Sequence, residues 1–484
     1  MRIFVSIVKG SPAIGFLLFF FLFIFNLPST AGGNSSGNAQ DTSRPVVIHS
    51  ITIDGNLRTR YSIILRELSF HELDTIRQTL FRQMLKAGQE NIFNTALFNF
   101  VTLDTVPLGG SPVQMDVVIH VVERWYVWPW PFFEISDRNF NTWIETIDFS
   151  RLSYGIDLTI QNVRGRNETL KFPVHYGFNQ KFGFSYRIPY FDRKKIVGIA
   201  FGAEYSRNHE VIVETRNNKT VYYKDPDHFP RRNLYAFTEL LLRPTFYARH
   251  TFRVGFNAWA FSDSLLKIPG YTADSSHDLN YFSIYYQYKN DHRDVQFYPL
   301  KGSYFDVELD QNGLWFSPVN EFFIKTNLRK YLQIHNRWYF ASGLTVKVTL
   351  TPQPPYLLQR GLGYGRDFVR GYEYYVIDGR DFILWKNNFK FAVIPQQDFN
   401  MDFIRSPKFN RVPYALYLNV FSDVGYVFYD GELTDKSNDL RNSLLVGYGA
   451  GLDLTTYYDI VIRLEVSMNR KGIPGIYLHF MAPI

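Results

Sequence analysis

Arg370 stands in the run Gly-Leu-Gly-Tyr-Gly-Arg-Asp-Phe-Val-Arg-Gly-Tyr at residues 361–372, between two stretches of alternating apolar residues. A connection of about 31 residues is long for a compact domain, and such segments are usually functional. A guanidinium held in a partly dry interior needs a carboxylate, and the planar two-donor contact fixes orientation as well as charge. Alternation over residues 414–428 offers one. Leu416, Leu418, Val420 and Val424 share a face, which sends Asp423 the other way with Tyr417, Asn419, Phe421 and Gly425. In the next stretch, 443–456, Leu444, Val446, Tyr448, Ala450, Leu452 and Leu454 fall on one face, and Gly447, Gly449 and Gly451 fall on the other with Asp453. A row of glycines leaves room for the backbone of an inserted loop. On the residues alone a plainer alternative stays open, in which Arg370 and Asp423 are ordinary charges of a polar face and the glycines relieve sheet curvature.

Bond-making chemistry has no comparable signal. His71-Glu72 lacks the second histidine of a zinc-protease helix, no Gly-x-Ser-x-Gly occurs, and the eleven histidines do not cluster at ligand spacing. The glycines at 361–371 are not followed by the helix that a nucleotide loop requires. The chain has no cysteine, which removes disulfides, thiolate metal sites and a cysteine nucleophile together. A formal charge of +7 without clustered Lys/Arg runs gives no case for nucleic acid. The sequence therefore carries no enzyme, metal or cofactor signature.

The elements that must position these residues follow from composition and periodicity. At 18% aromatic and 20% charged, the 484-residue chain is too aromatic for disorder and too polar for a helical membrane bundle. Residues 1–31 carry Arg2 and Lys9, an apolar run at 13–25, then Pro28 and Ser29-Thr30-Ala31, the order of a secretory signal peptide. Residues 32–44, rich in Gly, Asn and Ser, predict a flexible tether. Residues 45–124 predict a small α/β module of order β-α-α-β-β. A strand at 46–53 runs into the turn Asp54-Gly55-Asn56, and Thr59 caps a helix carrying Ile63, Ile64 and Leu68. A second helical stretch at 80–100 carries Leu80, Met84, Leu85, Ile92, Leu97 and Phe98 and breaks near Gly88, and a strand follows at 113–124.

From Trp125 onward no long helical period occurs. Short alternating segments recur instead, sixteen in all, from 127–137 to 475–484 and including 195–213, 382–394 and 414–428. The cleanest is 459–469, where Ile460, Ile462, Leu464, Val466 and Met468 oppose Val461, Arg463, Glu465, Ser467 and Asn469. Repetition of such strands behind a signal peptide predicts a membrane barrel at 125–484, with apolar faces to lipid and polar faces to the lumen. An even strand count returns both ends of the sheet to the same side of the membrane.

Four segments resemble a known family. Residues 53–59, Ile-Asp-Gly-Asn-Leu-Arg-Thr, and 91–101, Asn-Ile-Phe-Asn-Thr-Ala-Leu-Phe-Asn-Phe-Val, resemble a POTRA domain. Val369-Arg370-Gly371-Tyr372 resembles the signature of the sixth extracellular loop of the BamA/TamA superfamily, and 418–425, Leu-Asn-Val-Phe-Ser-Asp-Val-Gly, resembles that family's wall strand. The resemblance implies a mainly β protein, a sixteen-stranded antiparallel transmembrane barrel with one periplasmic POTRA module. It also implies that the loop folds into the lumen and that Arg370 pairs with Asp423. The expected location is the outer membrane of a Gram-negative-type bacterium. Expected partners are outer-membrane lipid, unfolded outer-membrane or exported polypeptides and periplasmic accessory proteins. The implied activity is insertion of outer-membrane proteins or translocation of polypeptides through a lateral seam. A passive channel, a surface structural protein and an exporter dedicated to one partner remain alternatives. The sequence closes on Phe480-Met481-Ala482-Pro483-Ile484 where the resemblance leads one to expect an aromatic, with Tyr477 and Phe480 as substitutes.

Overall fold

The computed structural model describes residues 45–110, 112–135, 152–272, 276–314, 317–352, 355–430 and 437–484. The expected signal peptide, the expected tether and the last two residues of the expected first barrel strand lie outside the described residues.

The N-terminal module is a four-stranded sheet under two helices. Its elements are β1 (Pro45–Asp54), α1 (Tyr61–Leu65), β2 (Thr75–Arg77), α2 (Gln78–Phe93), β3 (Phe98–Gly109) and β4 (Val113–Glu123), with strand order β2-β1-β4-β3. Strand β1 lies parallel to β4, and the other neighbours are antiparallel. The core is apolar on both layers: Ile48, Ile51, Val117, Ile119 and Val121 from the sheet meet Ile63, Ile64, Phe81 and Ile92 from the helices. Gly55 takes φ +90°, and a Cβ there would lie 2.0 Å from the Val121 carbonyl, so the expected turn requires glycine on both counts.

Four expectations for this module need correction. The order is β-α-β-α-β-β, because a three-residue edge strand, too short to show a period, precedes α2. Thr59 does not cap α1, whose cap is Arg60 without a side-chain bond. The Thr59 hydroxyl instead meets Tyr126 at 3.1 Å and Asn162 at 2.8 Å, and Leu68 falls beyond the helix while still in the core. Gly88 does not break α2, since it lies where the Leu68 side chain packs and a Cβ would stand 2.9 Å from that side chain's Cδ2. The helical stretch ends at Phe93, Phe98 opens β3, and Leu80 is 44% exposed.

Among the described residues from Val127 onward, sixteen strands form one antiparallel sheet. Its strands are β5 (Val127–Ile135), β6 (Leu152–Val163), β7 (Glu168–Gly177), β8 (Asn179–Ile188), β9 (Val197–Asn208), β12 (Arg231–Leu242), β13 (Ala248–Phe261), β14 (Asp278–Asp291), β15 (Gly302–Asn312), β16 (Glu321–His335), β17 (Trp338–Thr349), β18 (Asp381–Asn400), β19 (Arg411–Phe428), β20 (Leu445–Thr456), β21 (Ile460–Asn469) and β22 (Pro474–His479). Neighbours in the sheet are neighbours in sequence throughout, except that β9 pairs β12 across an inserted hairpin, and β5 and β22 stand at the two ends of the order. On β21 the pattern is complete: Ile460, Leu464 and Val466 are exposed, while Arg463, Glu465, Ser467 and Asn469 are buried. A soluble sheet would bury the opposite face. Charges inside and Leu, Val and Phe outside mark a lipid-facing wall around a polar lumen.

Several strand boundaries differ from expectation, and the last strand, expected over 475–484, ends at His479. The segment 195–213 divides, because β9 ends at Asn208 and the chain leaves the sheet as a hairpin of β10 (Glu210–Arg216) and β11 (Lys219–Lys224). Its turn is Asn217-Asn218, both at positive φ, a conformation asparagine tolerates. Strands β18 and β19 run longer than 382–394 and 414–428. Pro395 marks an end in the sequence, but here it lies within a register shift between Ile394 and Gln397, where no ladder donor is needed, and pairing resumes beyond it.

Candidate functional site

The connection between β17 and β18 turns inward. Two isolated bridges, Leu362 to Ile377 and Tyr364 to Asp367, fold it on itself. Val369 and Tyr372 are buried among Leu362, Ile377, Phe382, Leu384, Val427, Leu440 and Leu445, so the loop has its own apolar core against the upper wall. Arg370, fully buried, lies at its inner end.

The Arg370 guanidinium meets Asp423 on β19 twice, Nε to Oδ2 at 2.8 Å and Nη2 to Oδ1 at 2.5 Å, and the Arg370 backbone N–H adds a third bond to Oδ2 at 3.1 Å. Three further contacts were not legible from the motif. Nη1 reaches Glu465 on β21 at 3.3 Å, Nη2 donates to Asn388 on β18 at 2.6 Å, and the guanidinium carbon sits 3.8 Å from the centroid of the Phe421 ring. Arg370 thus ties three wall strands to one loop. Glu465 is shared, since Arg463 Nη2 binds its other oxygen at 3.1 Å. Alternation had already put Glu465 and Phe421 on the luminal face. It could not say that β21, two strands from β19, curves close enough to share the arginine.

The glycines do different things. At Gly447 a Cβ would lie 1.7 Å from the Arg370 carbonyl oxygen, so this glycine makes way for the loop backbone. Gly449 faces the Phe421 ring and the Val466 carbonyl, and Gly451 faces the Glu465 side chain. Those two give room to wall side chains rather than to the loop. Gly425, which stood outside the glycine row, lies against Val369 and Leu362 of the loop. Gly371 holds φ +89°, donates its N–H to Glu373 Oε2 at 2.7 Å, and accepts from Asn469 at 3.0 Å. The Tyr372 hydroxyl accepts the Arg470 N–H at 3.3 Å, which ties the loop to the end of β21.

Above this lock the loops join. The Asn218 carbonyl at the tip of the inserted hairpin accepts the Val376 N–H of the inward loop at 2.8 Å, and the Asn218 side chain reaches Asp439 at 2.8 Å. Asp378, buried in the loop, takes bonds from Tyr364 and Arg441, each at 2.8 Å.

At the opposite end the module docks on the turns between strands. Arg243, after β12, makes a two-pronged pair with Glu67 at 2.6 and 2.7 Å. Arg66 donates to the carbonyls of Lys195 and Arg243. Asn94 donates to the Asp294 carbonyl at 2.9 Å, and Asn99 donates to that of Lys408 at 3.1 Å. Arg124, just before β5, holds Asp459 at 2.6 and 2.9 Å. Tyr458 and Asp459 both take positive φ in the tight turn that presents them, and Trp128 meets the Tyr458 ring edge-on at 4.6 Å. Nothing in periodicity announces such a junction, because its partners lie hundreds of residues apart in turns. Among the described residues no group of His, Cys, Asp and Glu could hold a metal ion.

Comparison with known proteins agrees with this architecture. The Omp85 superfamily domain is matched by residues 162–457, more than half of the chain, and the surface antigen variable number repeat, a POTRA model, by residues 46–124. Among solved structures, BamA from Haemophilus ducreyi lacking POTRA domains 1-3 superposes with a TM-score of 0.51 at 15% identity, covering 90% of this chain and 83% of that one. CdiB from Acinetobacter baumannii gives 0.46 at 14% identity, covering 91% and 74%, and CdiB from Escherichia coli gives 0.45 at 11%, covering 94% and 92%. The curated proteins searched hold no sequence match.

Proposed function

The chain belongs to the Omp85 superfamily, and from that premise we propose that it is an outer-membrane barrel that inserts outer-membrane proteins or translocates polypeptides. Residues 1–31 direct export and are removed, residues 32–44 are a tether, the module at 45–124 receives client chains in the periplasm, and the barrel from residue 125 acts on them. The observation that carries this reading is the clamp between Arg124 and Asp459. Arg124 links the module to β5, one end of the sheet, while Asp459 precedes β21, the neighbour of β22 at the other end. The module is thereby fastened both to the strand at one end of the sheet order and to the turn that precedes the last two strands at the other.

In this mechanism the seam between β5 and β22 parts, and a client strand adds to the exposed edge. Main-chain groups in lipid cost several kcal/mol each when unpaired, so a client strand that satisfies them is held without regard to its sequence. The loop lock keeps the wall beside the moving edge in shape, since β21 is the direct neighbour of β22. Arg370 fastens β18, β19 and β21 through Asn388, Asp423 and Glu465, with Val369, Gly371 and Tyr372 setting the loop around it. Glycine at 447 admits the loop, and glycine at 449 and 451 lets Phe421 and Glu465 lie flat beneath it.

The test is depletion of the protein followed by comparison of the outer-membrane and surface proteomes. Loss of a defined set of polypeptides supports the reading. An unchanged proteome with altered solute permeability would favour a passive channel.

A further inference from the structure

Between the docked module and the loop lock, three cavities of about 430, 330 and 480 Å³ adjoin, all of them bordered by Arg293 and Gln296. They run as one chamber from Asn94 and Thr95 at the end of α2 to Arg366 and Phe368 of the inward loop. The walls are unequal in charge: twelve Lys and Arg residues border the chamber against six Asp and Glu.

Local pairing uses up the acids first. Glu239 is held by Arg253, Asp291 by Arg293, Asp367 by Lys325 and Asp459 by Arg124. Asp306 and Glu308 face the amides of Asn327 and Gln287 at 2.9 and 3.2 Å, which leave their charge in place, so two carboxylates stand against the five cations that follow. On the cationic side, Arg187, Arg249, Arg329, Arg366 and Lys386 have no carboxylate within 4.0 Å among the described residues. Aromatic faces partly substitute, Tyr304 beneath Arg329 at 5.2 Å and Phe368 beneath Lys386 at 4.2 Å. A ring face attracts a cation but neutralises none of its charge. Unpaired cations around a cleft with low-dielectric walls focus their field into the space between them. That field selects anions. The uncompensated groups are spread along the chamber, with Arg187 and Arg249 beside the module and Arg366 and Lys386 beside the loop. An extended polyanion can meet several of them together, which a single small anion cannot.

We propose that this chamber binds acidic segments of polypeptide, whose Asp and Glu carboxylates pair with Arg249, Arg329 and Arg366. The proposal rests on the reading that the protein handles polypeptides, and adds the chemistry of the segment that the lumen holds. The module's cleft at Asn94 and Thr95 is the entry, so the segment arrives from the side on which the module docks.

The test uses the full chain folded in detergent and a fluorescein-labelled peptide of ten glutamates, followed by anisotropy. The ten-glutamate peptide binds and a ten-lysine peptide does not. Arg249→Glu with Arg329→Glu weakens binding at least tenfold, while Arg216→Glu on the outer hairpin leaves it unchanged. Should the double variant lose heat-modifiability, and so its fold, Arg366→Gln in the exposed part of the loop decides, with a several-fold weakening expected. Equal affinity in the charge variants, or no binding to the wild-type protein, overturns the proposal. So does displacement of the peptide by inorganic phosphate at equal concentration of negative charge, which would make the chamber a small-anion site. If depletion removes defined polypeptides but the ten-glutamate peptide does not bind, the chamber's role is wrong and the polypeptide reading stands. If the peptide binds but depletion leaves every polypeptide in place, it is the polypeptide reading that falls.

Discussion

Removing the Arg370 side chain should loosen the barrel more than any other single change at the lock, and the structure gives the order of the effects. Asp423 has zero exposure, and among the described residues every hydrogen bond to its carboxylate comes from Arg370. In Arg370→Ala it keeps one backbone donor and loses both guanidinium bonds, leaving a buried charge with no hydrogen-bonded counterion and only its cross-strand neighbour Lys386 as a nearby cation. Breaking one side of a buried pair costs ~3–5 kcal/mol in soluble proteins, with luminal water lowering the figure. Asp423→Ala should cost less, because Arg370 keeps Glu465 at 3.3 Å and the Phe421 ring at 3.8 Å. Glu465→Gln should cost less again, since Asp423 still neutralises Arg370. Arg370→Lys should recover only part of the loss, because an ammonium cannot present Nε and Nη2 to the two Asp423 oxygens together. The assay is urea unfolding of the folded barrel in lipid vesicles, with heat-modifiability on gels and protease cleavage of the loop alongside. In the double-mutant cycle of Arg370→Ala and Asp423→Ala, a coupling of ~2 kcal/mol or more is expected, and effects that add within ~0.5 kcal/mol would refute the account of the lock.

Three other predictions are smaller. Gly447→Ala should expel the loop while the strands stay paired, because its Cβ would fall 1.7 Å from the Arg370 carbonyl oxygen. Protease cleavage within 361–372, with heat-modifiability kept, is the expected readout. Arg243→Gln should release one edge of the module from the turns by removing the pair with Glu67, at 2.6 and 2.7 Å. Spin-label distances between module and barrel should then broaden while the barrel's urea midpoint stays put. The module at 45–124, made alone, should fold in water on its own core, and there the Asp116 carboxyl should titrate below the ordinary 3.8 because Ser50, then His49, donate to it. With the folded value depressed, this contribution is present above the unfolded value and is lost as pH falls through the folded one. Ser50→Ala should move the NMR titration of Asp116 back up, and an unmoved titration would show that the hydroxyl does not hold the charge.

What could be read in advance divides by the range over which each interaction acts. Alternation is local, so the inward face of β19 was legible, and with it the placement of Asp423 opposite Leu418 and Val420. The same rule placed Glu465 on the luminal face of β21 but was silent on its meeting Arg370. That contact depends on wall curvature and on a loop of some 30 residues turning back into the lumen, neither of which has a period. Pro395 shows how a local rule fails in the opposite direction. Proline ends a strand where its missing donor would be needed, but here it sits where the β18 ladder skips register, so the strand continues to Asn400. The module shows a third case. Gly88 was read as a break on propensity alone, yet a glycine inside a helix costs only ~1 kcal/mol relative to alanine, and close packing of Leu68 against α2 outweighs that. The junction partners Glu67, Arg243, Arg124 and Asp459 were the least legible of all. Each is a single charged residue at an element's end, a place where most charges are merely solvated, and only the folded chain brings the two members of each pair together. The part of the molecule proposed to act on clients is therefore written in contacts of the longest range, and the part that holds the wall in shape is written largely in alternation.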